Sequence, residues 1–274
     1  MNVLPSLIGV IHLPALAGAP GSRGLLPVEA LSRAGEQAVE EAKILVRAGF
    51  QGLILENFGD TPFYKESVPP ETIASMAILA AAVREVASVP IGINVLRNDA
   101  RSALAIAAVS GCQFIRVNVL NGVAATDQGL IEGHAAEIMR ERERLGGTIA
   151  VMADVHVKHA KSLSSDDVGL AVEETALRAG ADGVILTGAT TGRPIDRETL
   201  ARAHQIAREH EIGIWIGSGV TSENIGWMSA FAQGAIVGST LRRGGKAGAP
   251  LDAKRIRDFI KSIPRRKPKA SRKK

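Results

Sequence analysis

The chain has 274 residues, 46% hydrophobic and 22% charged, with one cysteine, Cys112. That composition excludes a disulfide scaffold and a multi-cysteine zinc site, and no apolar run approaches the ~18 residues of a membrane span. The net charge of +5 is local: residues 264–274 (PRRKPKASRKK) carry seven Lys and Arg, which leaves residues 1–263 at −2.

The opening Met1-Asn2-Val3-Leu4-Pro5 runs straight into a strand pattern, without a basic and then apolar leader, so a cytoplasmic protein is expected. The first strand spans Leu7–His12 and is followed by Leu13-Pro14, where a dinucleotide-binding sheet would carry a glycine fingerprint. A helix over 28–48 ends in "RAGF", whose Gly49 suits a left-handed cap before the strand Gly52–Glu56. The pattern then repeats. Helices are predicted over 70–88, 98–110, 129–145, 166–179, 196–210, 222–231 and 252–262, the first opening on Pro70. Asn98-Asp99, Ser165-Asp166 and Thr221-Ser222 are candidate N-caps. Strands are predicted at Ile91–Leu96, Phe114–Val119, Ile149–Val157, Gly183–Gly188, Gly213–Ser218 and Gly234–Ser239. Eight strand-helix units without an interruption predict a single α/β domain, a (β/α)8 TIM barrel over residues 1–263. The rival, an open doubly wound sheet, lacks its fingerprint. Only 3% of residues are aromatic, so the core must be aliphatic, which suits parallel strands covered on both faces.

Chemistry in such a barrel belongs at the carboxyl ends of the strands. Polar residues gather there: His12, Glu56, Asn94, Arg116, Asn118, Asp154, His156 and Thr187. Side chains two apart share a strand face, so Asp154 and His156 should point together, as should Arg116 and Asn118. An interior Arg needs a carboxylate or an anionic ligand, and Glu56 and Asp154 are the candidates. Asp154 or Glu56 would then be a general base, with His156 or His12 as acid partner. Arg116, Asn94 and Asn118 would hold substrate oxygens or stabilise an enediolate. Glu56, Asp154 and His156 are also candidate ligands for a divalent cation. Lys158 has the chemistry for a Schiff base but is expected beyond the strand end. The competing reading is a structural polar plug with no catalytic role.

Two glycine-rich segments, "IGSGVTSEN" (216–224) and "AIVGSTLRRGGK" (235–246), end the seventh and eighth strands. Phosphate binds at this position of the fold, on backbone N–H groups and a helix N-terminus. Gly217, Ser218, Gly219, Gly238, Ser239 and Thr240 would form the cradle, with Arg242 or Lys246 as a charge contact. The segments 118–133 and 187–196, the latter with Arg193, either cover a polar ligand or merely connect elements. Cys112 reads as a packing residue at a helix-strand joint.

The segments "IGVIHLPALAGAP", "ILENFGDTPF", "IGINVLRNDA", "FIRVNVLNGVAATDQGLIEG", "MADVHVKHA", "ILTGATTGRP" and "IGSGVTSENI" resemble the BtpA/SgcQ family, in one order over residues 6–262. The resemblance implies a ribulose-phosphate-binding type of barrel. It also implies two functions: a photosystem I biogenesis factor at thylakoid membranes, or a member of a sugar-utilisation gene set. It carries no catalytic residue to transfer, and "NVLNG" has a smaller residue before its glycine than many relatives. The expected ligand is a small phosphorylated molecule, acted on by an isomerase, epimerase or lyase, and the alternative is a non-catalytic assembly factor. A homo-oligomer is expected. The tail reads as disordered, with at most peripheral, nonspecific membrane contact. Basicity confined to one tail without aromatics argues against specific nucleic-acid binding.

Overall fold

The computed structural model describes residues 4–188 and 194–264. Its strands, in chain order, are β1 (Leu7–His12), β2 (Gly52–Glu56), β3 (Ile91–Asn94), β4 (Phe114–Val117), β5 (Val123–Thr126), β6 (Gly129–Glu132), β7 (Ala150–Val155), β8 (Ala160–Ser162), β9 (Gly183–Leu186), β10 (Ile214–Ile216) and β11 (Gly234–Val237). Eight of them close a parallel barrel in the order β1-β2-β3-β4-β7-β9-β10-β11, with β11 pairing back onto β1. Its helices are α1 (Pro27–Ala48), α2 (Pro70–Val86), α3 (Ala100–Ser110), α4 (Ala135–Arg144), α5 (Val168–Glu173), α6 (Arg197–Glu209), α7 (Ile225–Met228) and α8 (Ala253–Ser262). None of them is long and apolar enough to cross a membrane. The basic segment 265–274, the 189–193 part of the loop after β9, and Arg193 with it, lie outside the described residues.

Strand alternation sorts the barrel into two cores. Outward residues such as Ile11, Leu53, Leu55, Ile93, Ile115 and Val151 pack under the helices. Inward residues Ile8, Val10, Ile54, Phe114, Met152, Ile185, Trp215 and Ile236 fill the barrel. Phe114 fits because its neighbour is Gly92: a Cβ there would stand 2.2 Å from the Phe114 ring. One residue pair further along each strand, the inward positions turn polar, and His12, Glu56, Asn94, Arg116 and Asp154 form the next layer. An aliphatic floor thus carries a charged upper layer.

Several strands end earlier than the sequence predicts, because side chains replace the ladder at the mouth. The Leu96 N–H donates to Asn57 Oδ1 (2.7 Å), and the Val119 N–H donates to Asn98 Oδ1 (2.8 Å). Two helices also differ. The stretch 129–132 is strand, not helix: Gly129 adopts φ +96°, and Thr126 pairs with Gly129 to close a hairpin over Asp127-Gln128. That hairpin joins β8 in a three-stranded antiparallel sheet over the barrel mouth. The helix predicted over 222–231 contracts to Ile225–Met228. Asp99 caps α3, accepting from the Ser102 N–H at 2.9 Å, whereas the cap of α5 is Asp167, one residue past the expected pair.

Arg242 is not at the mouth. Its guanidinium is fully buried, donates to Glu41 Oε1 and Oε2 at 2.9 and 2.7 Å, and also donates to the Val10 and Ala249 carbonyls. It ties the segment after β11 to α1 and β1. The basic run that suggested an anion contact carries a structural ion pair. Lys246 is exposed and lines no part of the cleft described below.

Candidate functional site

A cleft opens at the carboxyl ends of β1, β2, β4, β10 and β11. His12, Glu56, Arg116 and Lys158 line it together with Gly217, Ser218, Gly219, Gly238, Ser239 and Thr240. Three of the expected catalytic residues therefore share one space with the whole expected cradle.

The two glycine-rich loops play different parts within it. The Gly217 N–H is engaged by the Leu186 carbonyl at 2.8 Å, and a Cβ on Gly217 would stand 2.4 Å from Ile185 Cγ2. Gly217 lets the loop pass close to β9 and gives the cleft no donor. Gly238 leaves room for His12, whose ring atoms would lie 3.1–3.2 Å from a Cβ placed there. Among the described residues, none accepts from the N–H groups of Ser218, Gly219, Ser239 or Thr240. Gly219 takes φ +67°, a turn that suits glycine. Thr240 directs its hydroxyl to the Val220 carbonyl, which locks one loop to the other. Four backbone donors on two cross-linked loops suit the oxygens of a tetrahedral anion.

Arg116 organises the charges. It lies at the cleft floor, and its Nε and Nη2 donate to both oxygens of Asp154 at 3.1 and 3.0 Å. Its Nη1 faces Glu56 Oε2 at 4.0 Å. Asn118 Nδ2 also donates to Asp154 (2.7 Å), and Asn94 holds this arrangement by donating to the Arg116 carbonyl and Asn118 Oδ1. Asp154 is thus fully engaged, its side chain without exposed surface, and it serves as the counter-charge of Arg116. Glu56 is the carboxylate that faces the cleft without such clamps. The neighbouring carboxylates raise the Arg116 pKa against the lowering effect of burial.

His12 receives the Gly248 N–H on Nδ1 (3.2 Å), so its proton sits on Nε2, which lies 3.9 Å from Glu56 Oε1. Burial first, then Arg242, Lys158 and Arg116, hold its pKa well below the ordinary value. The lowered pKa favours the neutral ring, whose Nε2–H can donate a hydrogen bond to a ligand oxygen. The linkage has a definite sign: the unfolded chain takes up this proton near pH 6.5 and the folded protein only at much lower pH. Stability from this residue is complete above about pH 6.5 and declines as pH falls below it. His12→Asn should flatten the loss of urea midpoint between pH 7 and pH 5. An unchanged slope would assign the loss to other groups.

His156 does not line this cleft. It leaves the strand with φ +51°, and its Nε2 sits 2.8 Å from the Ser165 carbonyl. It lines a second cleft, beneath the hairpin, with Asn118 and Asp154. With His156 turned away and Asp154 clamped, the expected metal ligands do not converge. Among the described residues no three His, Cys, Asp or Glu side chains do.

Lys158 lies beyond the end of β7, as the sequence predicts, and it lines the cleft all the same. His156 and His159 both adopt left-handed φ values, 51° and 56°, and this folds the loop back over the mouth. Arg97 anchors it by donating from Nη2 to the Lys158 carbonyl at 2.8 Å. The sequence reading missed Arg97, which is 5% exposed and has a buried Nε without a protein acceptor among the described residues. Its one signal was a guanidinium inside the otherwise uncharged "NVLRN". Burial lowers the pKa of both Arg97 and Lys158. Asn57 and Asp60, among the polar residues that the sequence places at the end of β2, stitch loops together: Asp60 accepts from the Leu16 N–H (2.8 Å) and from Asn57 Nδ2 (3.0 Å). Cys112 is a buried free thiol, beside Ser110.

The model of the BtpA family matches residues 4–265. The chain belongs to the BtpA family. Among relatives of this BtpA-family barrel, the Photosystem I biogenesis protein BtpA of Synechocystis is 43% identical over 257 residues, 94% of this chain and 87% of that protein. An uncharacterised protein of Pyrococcus abyssi is 45% identical, over 94% of this chain and 96% of its own length. Among solved structures, phosphoribosyl anthranilate isomerase from Thermus thermophilus superposes with a TM-score of 0.57 at 12% identity, covering 93% of this chain and 97% of that one. At that identity the likeness is one of fold.

Proposed function

We propose that this BtpA-family barrel binds a phosphorylated small molecule and acts on it as an isomerase, epimerase or lyase, with a sugar phosphate or a nucleoside-derived compound as substrate. The observation that carries the reading is one shared cleft: Ser218, Gly219, Ser239 and Thr240, whose N–H groups have no acceptor among the described residues, line it together with Glu56 and His12. The cradle residues would take the phosphate. Glu56 would move a proton at the carbon or hydroxyl next to a carbonyl, and His12 Nε2–H would polarise the carbonyl oxygen. Arg116, fixed by Asp154, would stabilise negative charge developing on that oxygen.

The second reading, a non-catalytic assembly factor, rests on the likeness to the Photosystem I biogenesis protein of Synechocystis. It gives no reason for a Glu-His pair beside an anion cradle.

A thermal-shift panel of inorganic phosphate, sugar phosphates and the matching unphosphorylated sugars tests the proposal. Phosphorylated compounds should protect, by about 2.7 kcal/mol at one hundred times Kd, and the free sugars should not. Equal protection by both sets, or by neither, would sink it.

A further inference from the structure

We propose that Lys158 is a covalent nucleophile: its amine forms an imine with the carbonyl of an open-chain aldose or ketose phosphate whose phosphate sits in the cradle. This rests on the phosphate reading above and narrows it to carbonyl substrates handled through an iminium ion.

Three geometric facts carry the inference. First, Lys158 lines the cleft with Glu56, His12 and all six cradle residues. Second, its backbone is held: the Arg97 guanidinium bonds its carbonyl, and left-handed turns on either side bring it back over the mouth. A lysine serving only solubility would not need a buried arginine on its carbonyl. Third, the four backbone donors of the cradle already suit the phosphate oxygens, so the amine is not required as their counter-ion. Burial favours its neutral, nucleophilic form, helped by the charges of Arg116 and Arg97 and opposed by Glu56 and Asp154.

The residues present balance the step. Glu56 takes one proton from the Lys158 ammonium. The free amine adds to the carbonyl carbon; the C–N bond forms as the carbonyl π pair moves to oxygen, against His12 Nε2–H. A proton passes from nitrogen to that oxygen, giving the carbinolamine. Glu56 then returns its proton to the hydroxyl, which leaves as water, and the nitrogen lone pair closes the iminium. Ammonium and carbonyl have become iminium and water, and Glu56 is again a carboxylate. The iminium withdraws electrons from the adjacent C–H or C–C bond, and water reverses the sequence to release product.

The test uses the full chain with dihydroxyacetone phosphate and sodium cyanoborohydride, followed by intact mass and peptide mapping. The expected result is one reduced adduct on Lys158, suppressed by excess inorganic phosphate and absent with free dihydroxyacetone at the same concentration. Lys158→Arg keeps the charge and cannot form an imine, so it should lose the adduct while phosphate still raises its melting temperature. An adduct spread over surface lysines and equal in Lys158→Arg overturns the proposal, as does no adduct at all. If phosphate protection persists in those cases, the cradle stands and only the nucleophile falls. If phosphate fails to protect the unmodified protein, the underlying reading falls with it.

Discussion

Glu56→Gln should reduce turnover of the substrate found in the thermal-shift panel by about 10²–10⁴-fold, the range set by losing a positioned proton-transfer group. Shape and hydrogen-bonding reach are kept, and only the ionisable proton site is removed. Glu56 lies 3.9 Å from His12 Nε2 and 4.0 Å from Arg116 Nη1, so neither neighbour is hydrogen-bonded to it. The substitution should therefore cost little stability, and phosphate should protect the variant as it protects the unmodified protein. Steady-state kinetics beside a denaturation curve checks both halves. Turnover within a few-fold of normal would remove Glu56 from the chemistry.

Asp154→Asn should act the other way round, on the fold first. Asp154 supplies both acceptors of a bidentate contact to a buried Arg116 and a third bond to Asn118. Neutralising it leaves a buried guanidinium with Glu56 at 4.0 Å as its remaining carboxylate among the described residues. Breaking a buried pair from one side costs about 3–5 kcal/mol. At roughly 2–4 °C per kcal/mol for a domain of this size class, the melting temperature should fall on the order of 10 °C. Calorimetry decides the matter: an unchanged melting temperature with turnover abolished would make Asp154 a chemical group and not a counter-charge.

These two carboxylates mark what the sequence makes legible. Alternation along β1, β2, β4 and β7 is a local property, and it places His12, Glu56, Arg116 and Asp154 on the inward face at the strand ends. The glycine-rich runs after β10 and β11 are equally local, and so is each of the eight strand-helix units whose repetition predicts the barrel. Alternation does not reveal where a strand stops. His156 was paired with Asp154 by counting twos, but its φ of +51° takes it out of the ladder. The same turn brings Lys158, which lies past the end of β7 as expected, back to the mouth. Nor does alternation choose partners over long separations. Which carboxylate clamps Arg116 depends on the register of β4 on β7, where Arg116 lies opposite Met152. The misplacement of Arg242 has the same cause: its partner Glu41 is 201 residues away on α1, and a basic, glycine-rich run looks alike whether it meets a ligand or a helix. Arg97 was missed because its anchor, the Lys158 carbonyl, is a backbone atom that no residue pattern advertises.

The central claim is that one anion site and one proton-transfer pair share a cleft. The most direct measurement is a crystal structure grown in inorganic phosphate at a concentration that saturates the thermal shift. The account predicts phosphate within hydrogen-bond reach of the Ser218, Gly219, Ser239 and Thr240 N–H groups, on the side of the cleft that faces His12 and Glu56. Phosphate bound elsewhere, with those four donors solvated, would contradict it.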